Sequence, residues 1–258
     1  MELKHHYGKQ IHILDSDYLT TLLWRLCAPE THQPLVNQLV EVLYSGIVKR
    51  VMDKEFPQMA IEAPTRMTAL HPGKVYTGSV LDQNQSAVVV NLARAGTLPS
   101  YVCYQTLNFL LNPQGVRQDH IMAARKTDAS GAVIGTDFGA SKIGGPVYKS
   151  VVLFPDPMGA TGGTIVSALD YYKSTVEGKA AKYVALHLIV TPEYLKRVTE
   201  SHPDLIVYAI RLDRGLSSDE VLRTELGARW DEERGLDDHH YIVPGGGGLG
   251  EIMNNSFV

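Results

Sequence analysis

At 258 residues, with 44% apolar and 20% charged residues, the chain has the make-up of a soluble globular protein with ample length for a buried core. Its net charge of -4 argues against broad electrostatic binding of nucleic acid, although a local cationic pocket is still open. The two cysteines, Cys27 and Cys103, lie in apolar, helical-looking stretches without Cys-x-x-Cys spacing, so both read as buried, unreactive thiols of a reducing interior. The N-terminus lacks the long apolar segment of a secretory signal and no run approaches the length of a membrane span. A cytoplasmic protein that engages neither membrane nor nucleic acid is the expectation.

The first quarter reads as helical, with Leu39, Val42, Leu43, Ile47 and Val51 at three- and four-residue spacing on one face. After a break near Pro57 and Pro64, the run AVVVNLARAG predicts a buried strand ending in a glycine turn. LPSYVCYQTLNFLL predicts a mostly apolar helix with Pro99 in its first turn. DHIMAARK predicts a further strand, and the polar, glycine-containing run TDASGAVIGTDFGASKIGG an exposed hairpin or flap. A strand over 151–154 leads through a glycine-rich loop into a helix whose apolar stripe is Ile165, Ala168, Leu169 and Tyr172. KYVALHLIV predicts a strand, PEYLKRVTESH a helix opening on Pro192, and LIVYAIRL another strand. Between Ser217 and Trp230 an amphipathic helix is expected, with Ser217 and Glu220 at capping-box spacing and Leu222, Leu226 and Trp230 on one face. Such a stripe reads as core or subunit interface.

Alternating strands and helices argue for an α/β protein with a central, mainly parallel sheet covered on both faces. No linker or repeat divides the chain. One domain is expected, with a helical part over 1–84, a core sheet over 85–216, and an insert and C-terminal segment over 217–258.

The loop DPMGATGGT sits between strand and helix, where ligands of parallel sheets gather. Thr161, Gly162, Gly163 and Thr164 there bare successive backbone amides at a helix N-terminus, an anion nest in which side chains at the glycines would obstruct a phosphate. Asp156, at the strand tip, suits sugar hydroxyls or a cation better than phosphate. Together these features suggest a phosphorylated ribose. The loop has neither the lysine of a Walker motif nor the G-x-G-x-x-G order. A plain tight turn is the competing reading of the loop taken alone.

This loop resembles the phosphoribosyl-diphosphate loop of type I phosphoribosyltransferases, and its Asp-Pro-Met form resembles the uracil branch of that family. Further motifs agree in order. NLARAGTLPSYV is similar to the family's Leu-Arg-Ala-Gly turn, and AARK to its Tyr-Arg strand end, with Ala124 in place of the tyrosine. LIVTPEYLKRVTESHPDLIVYAIRLDRGL is similar to the strand–helix–strand after the loop, and HHYIVPGGGGLGEI to the terminal base-binding segment. The likeness runs from about residue 85 to the C-terminus.

The resemblance implies the type I phosphoribosyltransferase fold, with a small hood built from N- and C-terminal segments. It implies transfer of phosphoribose to uracil, giving UMP and diphosphate, in pyrimidine salvage. Asp156, Pro157, Met158, Gly159, Ala160, Thr161, Gly162, Gly163 and Thr164 would hold the ribose 5-phosphate. Arg94 and Arg125 would contact the diphosphate, stabilising charge that grows as the glycosidic bond breaks. Asp156 would support an oxocarbenium-like ribose. Backbone groups of Ile242, Gly247, Gly248 and Leu249 would face the base. Mg2+ would come held mostly by diphosphate and water, with no protein metal site. His239 and His240 read as solvated loop residues. A homodimer and binding of GTP are further implications.

One departure stands out: Gly248 occupies the position of a family aspartate, and Glu251, three residues on, is no obvious substitute. Residues 217–232 are also extra to the usual pattern. Three readings stay open: a uracil-specific enzyme, a relative that binds nucleotide or phosphoribosyl diphosphate without turnover, and a transferase for another base.

Overall fold

The computed structural model describes residues 1–127 and 133–257, and side chains except those of residues 123–139. In chain order the elements are β1 (Ile11–Ile13), α1 (Asp17–Cys27), α2 (Leu35–Glu55), β2 (Gln58–Ala63), β3 (Tyr76–Leu81), β4 (Ala87–Ala93) and α3 (Thr97–Leu110). Then come β5 (Val116–Thr127), β6 (Val133–Lys142), β7 (Val151–Pro155), β8 (Met158–Gly159), α4 (Gly163–Thr175), β9 (Lys182–Val190), α5 (Pro192–Ser201) and β10 (Leu205–Leu212). Two single-turn helices, α6 (Asp219–Leu222) and α7 (Leu249–Ile252), follow.

The main sheet has the order β1-β10-β9-β7-β4-β5-β6, with β8 beside β9. All its pairings are parallel except β5 with β6. The strands are apolar on both faces because both faces are covered. Successive side chains alternate sides. Thus Val89, Leu153, Leu186 and Tyr208 join one core with α1, α2 and α3. Val88, Val90, Val152, Phe154 and Ala185 join the other, against Ile165, Ala168, Leu169 and Tyr172 of α4 and Leu195 of α5. The α4 stripe is the one the sequence predicts. In α2 the buried positions are Val36, Leu39, Val40, Leu43, Tyr44, Ile47, Val48, Val51 and Met52, whereas Val42 is exposed, so the apolar face follows the i+4 row.

The N-terminal part does more than cover the site. Its β1 pairs with β10 and closes one sheet edge. Within the expected break, β2 and β3 form an antiparallel two-stranded arm of mostly exposed residues. The C-terminal Leu249 and Met253 pack in the same core as α1 and α2, and Gln33 donates to the Met253 carbonyl at 3.0 Å, which joins both ends of the chain into the expected hood. In the region of the predicted flap, β6 pairs antiparallel with β5, and residues 128–132 lie outside the described residues.

The amphipathic helix expected between Ser217 and Trp230 does not form. Only α6 is helical there, capped by Ser218, whose side chain accepts from the Val221 amide, and not by Ser217. Leu222 is exposed and Val221 is the buried residue. The cause is a buried polar cluster. Arg214 pairs with Glu233 and donates to the carbonyls of Leu222 (3.3 Å) and Thr224 (2.7 Å), so these carbonyls terminate on a guanidinium rather than on a next helical turn. The Leu226 carbonyl accepts from the His6 amide and the Gly227 amide donates to Glu233, which lays the segment against the N-terminal stretch.

Candidate active site

In a parallel sheet, the residues that follow the strands share one edge. Arg94 after β4, Asp156 after β7, Thr191 after β9 and Asp213 after β10 therefore lie along the carboxyl edge. Two loops meet there, backbone to backbone. A β-carbon on Gly96 would stand 2.9 Å from the Pro155 carbonyl oxygen and 2.8 Å from that of Leu92, so only glycine lets the Arg94 turn rest against the end of β7.

Asp156 is held from behind. Its amide donates to the Leu186 carbonyl at 3.0 Å, and its carbonyl faces Nδ1 of His187 at 2.6 Å. Nε2 of His187 lies 2.5 Å from the Tyr194 hydroxyl. His187 is fully buried, and desolvation lowers its pKa to about 4. A neutral ring fits both contacts when Nδ1–H donates to the carbonyl and Nε2 accepts from tyrosine. The Asp156 carboxyl itself is desolvated, which raises its pKa to about 6, opposed by the Met158 amide at 3.5 Å.

The rest of the loop follows from two packing constraints. Gly159 backs onto the Tyr194 ring, where a β-carbon would come within 3.1 Å, and the Ala160 carbonyl accepts from the Thr191 hydroxyl at 2.7 Å. Gly162, with φ of +78°, caps α4 without a side-chain hydrogen bond. Of the first-turn amides of α4, that of Gly163 donates to the Thr161 hydroxyl at 3.4 Å, a contact that an anion at this helix start would have to displace.

On the opposite side of the edge, the C-terminal loop is clasped by Arg211 and Asp213. Arg211 near the end of β10 and Asp213 just after it are paired through two contacts of 2.7 Å. Asp213 accepts from the Gly245 amide at 2.8 Å while Arg211 donates to the Gly245 carbonyl at 2.9 Å. Ile242 is buried and bridges Leu236, and α7 begins at Leu249, just past Gly247 and Gly248. Gly250 packs on Ala95, where a β-carbon would lie 3.2 Å from that of Ala95, which brings α7 against the Arg94 turn. Arg94 itself donates through Nη1 to the carbonyl (3.0 Å) and hydroxyl (2.8 Å) of Ser256. Its Nη2 lies 3.6 Å from Oε1 of Glu251.

The structure thus brings Arg94, the 156–164 loop and the 242–249 loop to one edge. Arg125 is in β5, its backbone paired with Thr136, and its side chain lies outside the described residues. His239 and His240 are exposed, and among the described residues no group of three or more His, Cys, Asp or Glu could hold a metal. Cys103 is buried as expected, whereas Cys27 is half-buried beside Gly246, its thiol pKa pushed up by desolvation.

Four residues escaped the sequence reading: His187, Tyr194, Arg211 and Asp213. The signal for His187 was a lone polar residue inside VALHLIV, which burial obliges to find partners. The signal for Arg211 and Asp213 was opposite charge at i, i+2 at the end of a strand, hence on one side of the chain.

The family model described as uracil phosphoribosyltransferase matches residues 15–231. A uracil phosphoribosyltransferase of Rhodococcus jostii is 26% identical over 94% of this chain and 94% of its own length. One of Dictyoglomus thermophilum is 26% identical over 94% and 95%. One of Thermococcus kodakarensis is 32% identical over a shorter stretch, 40% of this chain and 35% of that protein. Among solved structures, the AQ2163 protein of Aquifex aeolicus superposes with a TM-score of 0.68 at 21% identity, covering 94% of this chain and 97% of that one. Adenine phosphoribosyl transferase of Trypanosoma brucei gives a TM-score of 0.50 at 13% identity, covering 89% and 94%. The fold is that of the type I phosphoribosyltransferases.

Proposed function

This chain belongs to the uracil phosphoribosyltransferase family, and from that premise we propose that it transfers the phosphoribosyl group of phosphoribosyl diphosphate to uracil, releasing UMP and diphosphate in pyrimidine salvage. The observation that supports this most is the contact of Gly96 with Pro155, which sets an arginine turn beside a desolvated carboxylate that leads into the glycine-capped start of α4.

In this reading the amides of Thr161, Gly162, Gly163 and Thr164 bind the 5-phosphate. Asp156 engages the ribose and stabilises positive charge at its anomeric carbon. His187 and Tyr194 fix the main chain that carries this carboxylate. Arg94 and Arg125 bind the departing diphosphate. In a non-hydrogen-bonded bridge such as Leu236 with Ile242, the amide and carbonyl of the residue point out of the ladder. That leaves the Ile242 backbone, with Gly247, Gly248 and Leu249, to read the edge of the base. A hard cation fits beside a desolvated carboxylate whose charge has no cationic partner within hydrogen-bonding distance among the described residues. Mg2+ carried in on the diphosphate would neutralise leaving-group charge, with Asp156 the protein group nearest in chemistry to it. A homodimer completes the proposal.

Diphosphate release measured with uracil, cytosine and purines offered separately tests it, and release with uracil alone is the expected result. Release with a different base would overturn the specificity. Tight binding of phosphoribosyl diphosphate without release on any base would favour the second reading, a binding protein without turnover, to which Gly248 lends its support.

The nest has its own test. A β-carbon on Gly163 would meet the Arg197 guanidinium at 3.4 Å, an ordinary contact, so Gly163→Val is expected to fold. It should weaken phosphoribosyl diphosphate binding roughly ten- to a hundredfold, the worth of one or two charged hydrogen bonds. Unchanged affinity by titration calorimetry would reduce the loop to a turn.

A further inference from the structure

The glycine at 248 is not demanded by its backbone, since its φ is -78°, a value open to any residue. The space beside it is nevertheless taken. Oε2 of Glu251 stands in clashing contact with the place of a β-carbon on residue 248, and the Glu251 carboxyl carbon lies 3.2 Å from that point. Glu251 sits in the first turn of α7 with its amide bonded to the Gly248 carbonyl at 3.0 Å, so its side chain folds back over the helix start. The other carboxylate oxygen faces Nη2 of Arg94 at 3.6 Å. One carboxylate therefore touches both the loop assigned to the base and the arginine assigned to the diphosphate.

We propose that Glu251 is a positioning residue of the transfer site, supplying from α7 the carboxylate that position 248 lacks and holding the base loop and the Arg94 guanidinium in one electrostatic unit. The proposal rests on the phosphoribosyl-transfer reading. Stability alone does not explain the pair, because an ion pair this long between half-exposed side chains contributes little to folding. Helix capping does not explain it either. A residue at the third position of a helix can cap as Gln as well as Glu, and capping leaves no reason for the second oxygen to face Arg94. In the ligand-free protein the carboxylate holds Arg94; an incoming diphosphate takes the guanidinium over and leaves Glu251 directed at the base loop.

This arrangement separates charge from structure in a test on the full chain. Glu251→Gln keeps size and capping and removes the charge. Binding of inorganic diphosphate in metal-free buffer is expected to tighten about fivefold in this variant, the order expected for one unit charge about 4 Å away at the dielectric of water. Uracil-dependent kcat should fall about tenfold or more, the loss of a charged contact made at the reacting centre. Adding Gly248→Asp to Glu251→Gln returns a carboxylate to the same space, and both readouts should move back toward wild type. Gly248→Asp alone puts two carboxylates into that space and should weaken diphosphate binding below wild type. Thermal melting of Glu251→Gln and of the double variant should match the wild type. If Glu251→Gln binds diphosphate no more tightly than wild type, or if the double variant shows no recovery, the proposal is wrong. A wild type that uses no base would overturn the proposed function instead, and the diphosphate measurements would still decide the place of Glu251.

Discussion

Asp156→Asn is expected to transfer phosphoribose roughly ten- to a hundredfold more slowly and, at pH 8, to be more stable than the wild type. The first effect is the loss of a charged contact of about 1.5–3 kcal/mol at a centre that becomes cationic. The second follows from burial. Desolvation raises the Asp156 carboxyl from its ordinary 3.8 to about 6 in the folded protein. Folding therefore favours the protonated acid, a stabilisation fully present below about pH 4 and lost as pH rises through about 6. Above that, the folded protein carries an ionised group with little compensation, at a cost of order 1–3 kcal/mol. Asparagine keeps the shape without the charge, so the variant's melting temperature should exceed that of wild type at pH 8 and converge with it near pH 4. In the ligand-free enzyme the same group should make kcat/KM climb through about pH 6. Unaltered turnover in the variant would remove Asp156 from the chemistry, and a lower melting temperature at pH 8 would show that its charge is compensated.

Glu233→Ala is expected to destabilise the protein by about 3–5 kcal/mol, the range found when one partner of a buried ion pair is deleted. Glu233 is 1% exposed and Arg214 is 8% exposed. The carboxylate also accepts from the Tyr7 hydroxyl and, at 2.9 Å, from the Gly227 amide. Its removal strands a guanidinium, an amide and a hydroxyl in an apolar setting. For a chain of this length the melting temperature should drop by roughly 6–20 °C. Because Gly235 and Ile242 follow within the same segment, affinity for uracil should suffer more than binding of phosphate at α4. Denaturant unfolding checks the first part, and a loss of less than about 1 kcal/mol would mean the cluster relaxes around the cavity.

The sheet was legible because strands buried on both faces are continuous apolar runs, as in AVVV, VVLF and ALHLIV. The 156–164 loop and the Arg94 turn were legible because their glycines have a local geometric job: Gly162 has positive φ in the first, and Gly96 admits a neighbouring carbonyl in the second. β1 was not, since a three-residue strand interrupted by His12 carries no period. The β2–β3 arm was hidden because its residues are largely exposed and its prolines read as a break. Residues 217–232 mimic an amphipathic helix in spacing, but Arg214 claims the carbonyls such a helix would need, and nothing within the segment announces that. Glu251 was passed over for a related reason. A distance of three positions looks too far in the linear chain, while a helical turn folds the side chain back over its own start.

The pairing of β1 with β10 sets an order of events during synthesis. Ile11 aligns with Val207 and Ile13 with Ala209, partners separated by about two hundred residues. At a ribosomal pace of roughly 5–20 residues per second, the first strand waits on the order of 10–40 s for its neighbour. Tyr7 waits longer, since its hydroxyl bonds to Glu233. The sheet's interior, from β4 through β9, can assemble in the meantime, and the N-terminal strand is added last although it is made first. Contacts of such long range slow the final closure. The nascent chain therefore displays Ile11 and Ile13, both buried in the folded protein, until β10 has been made.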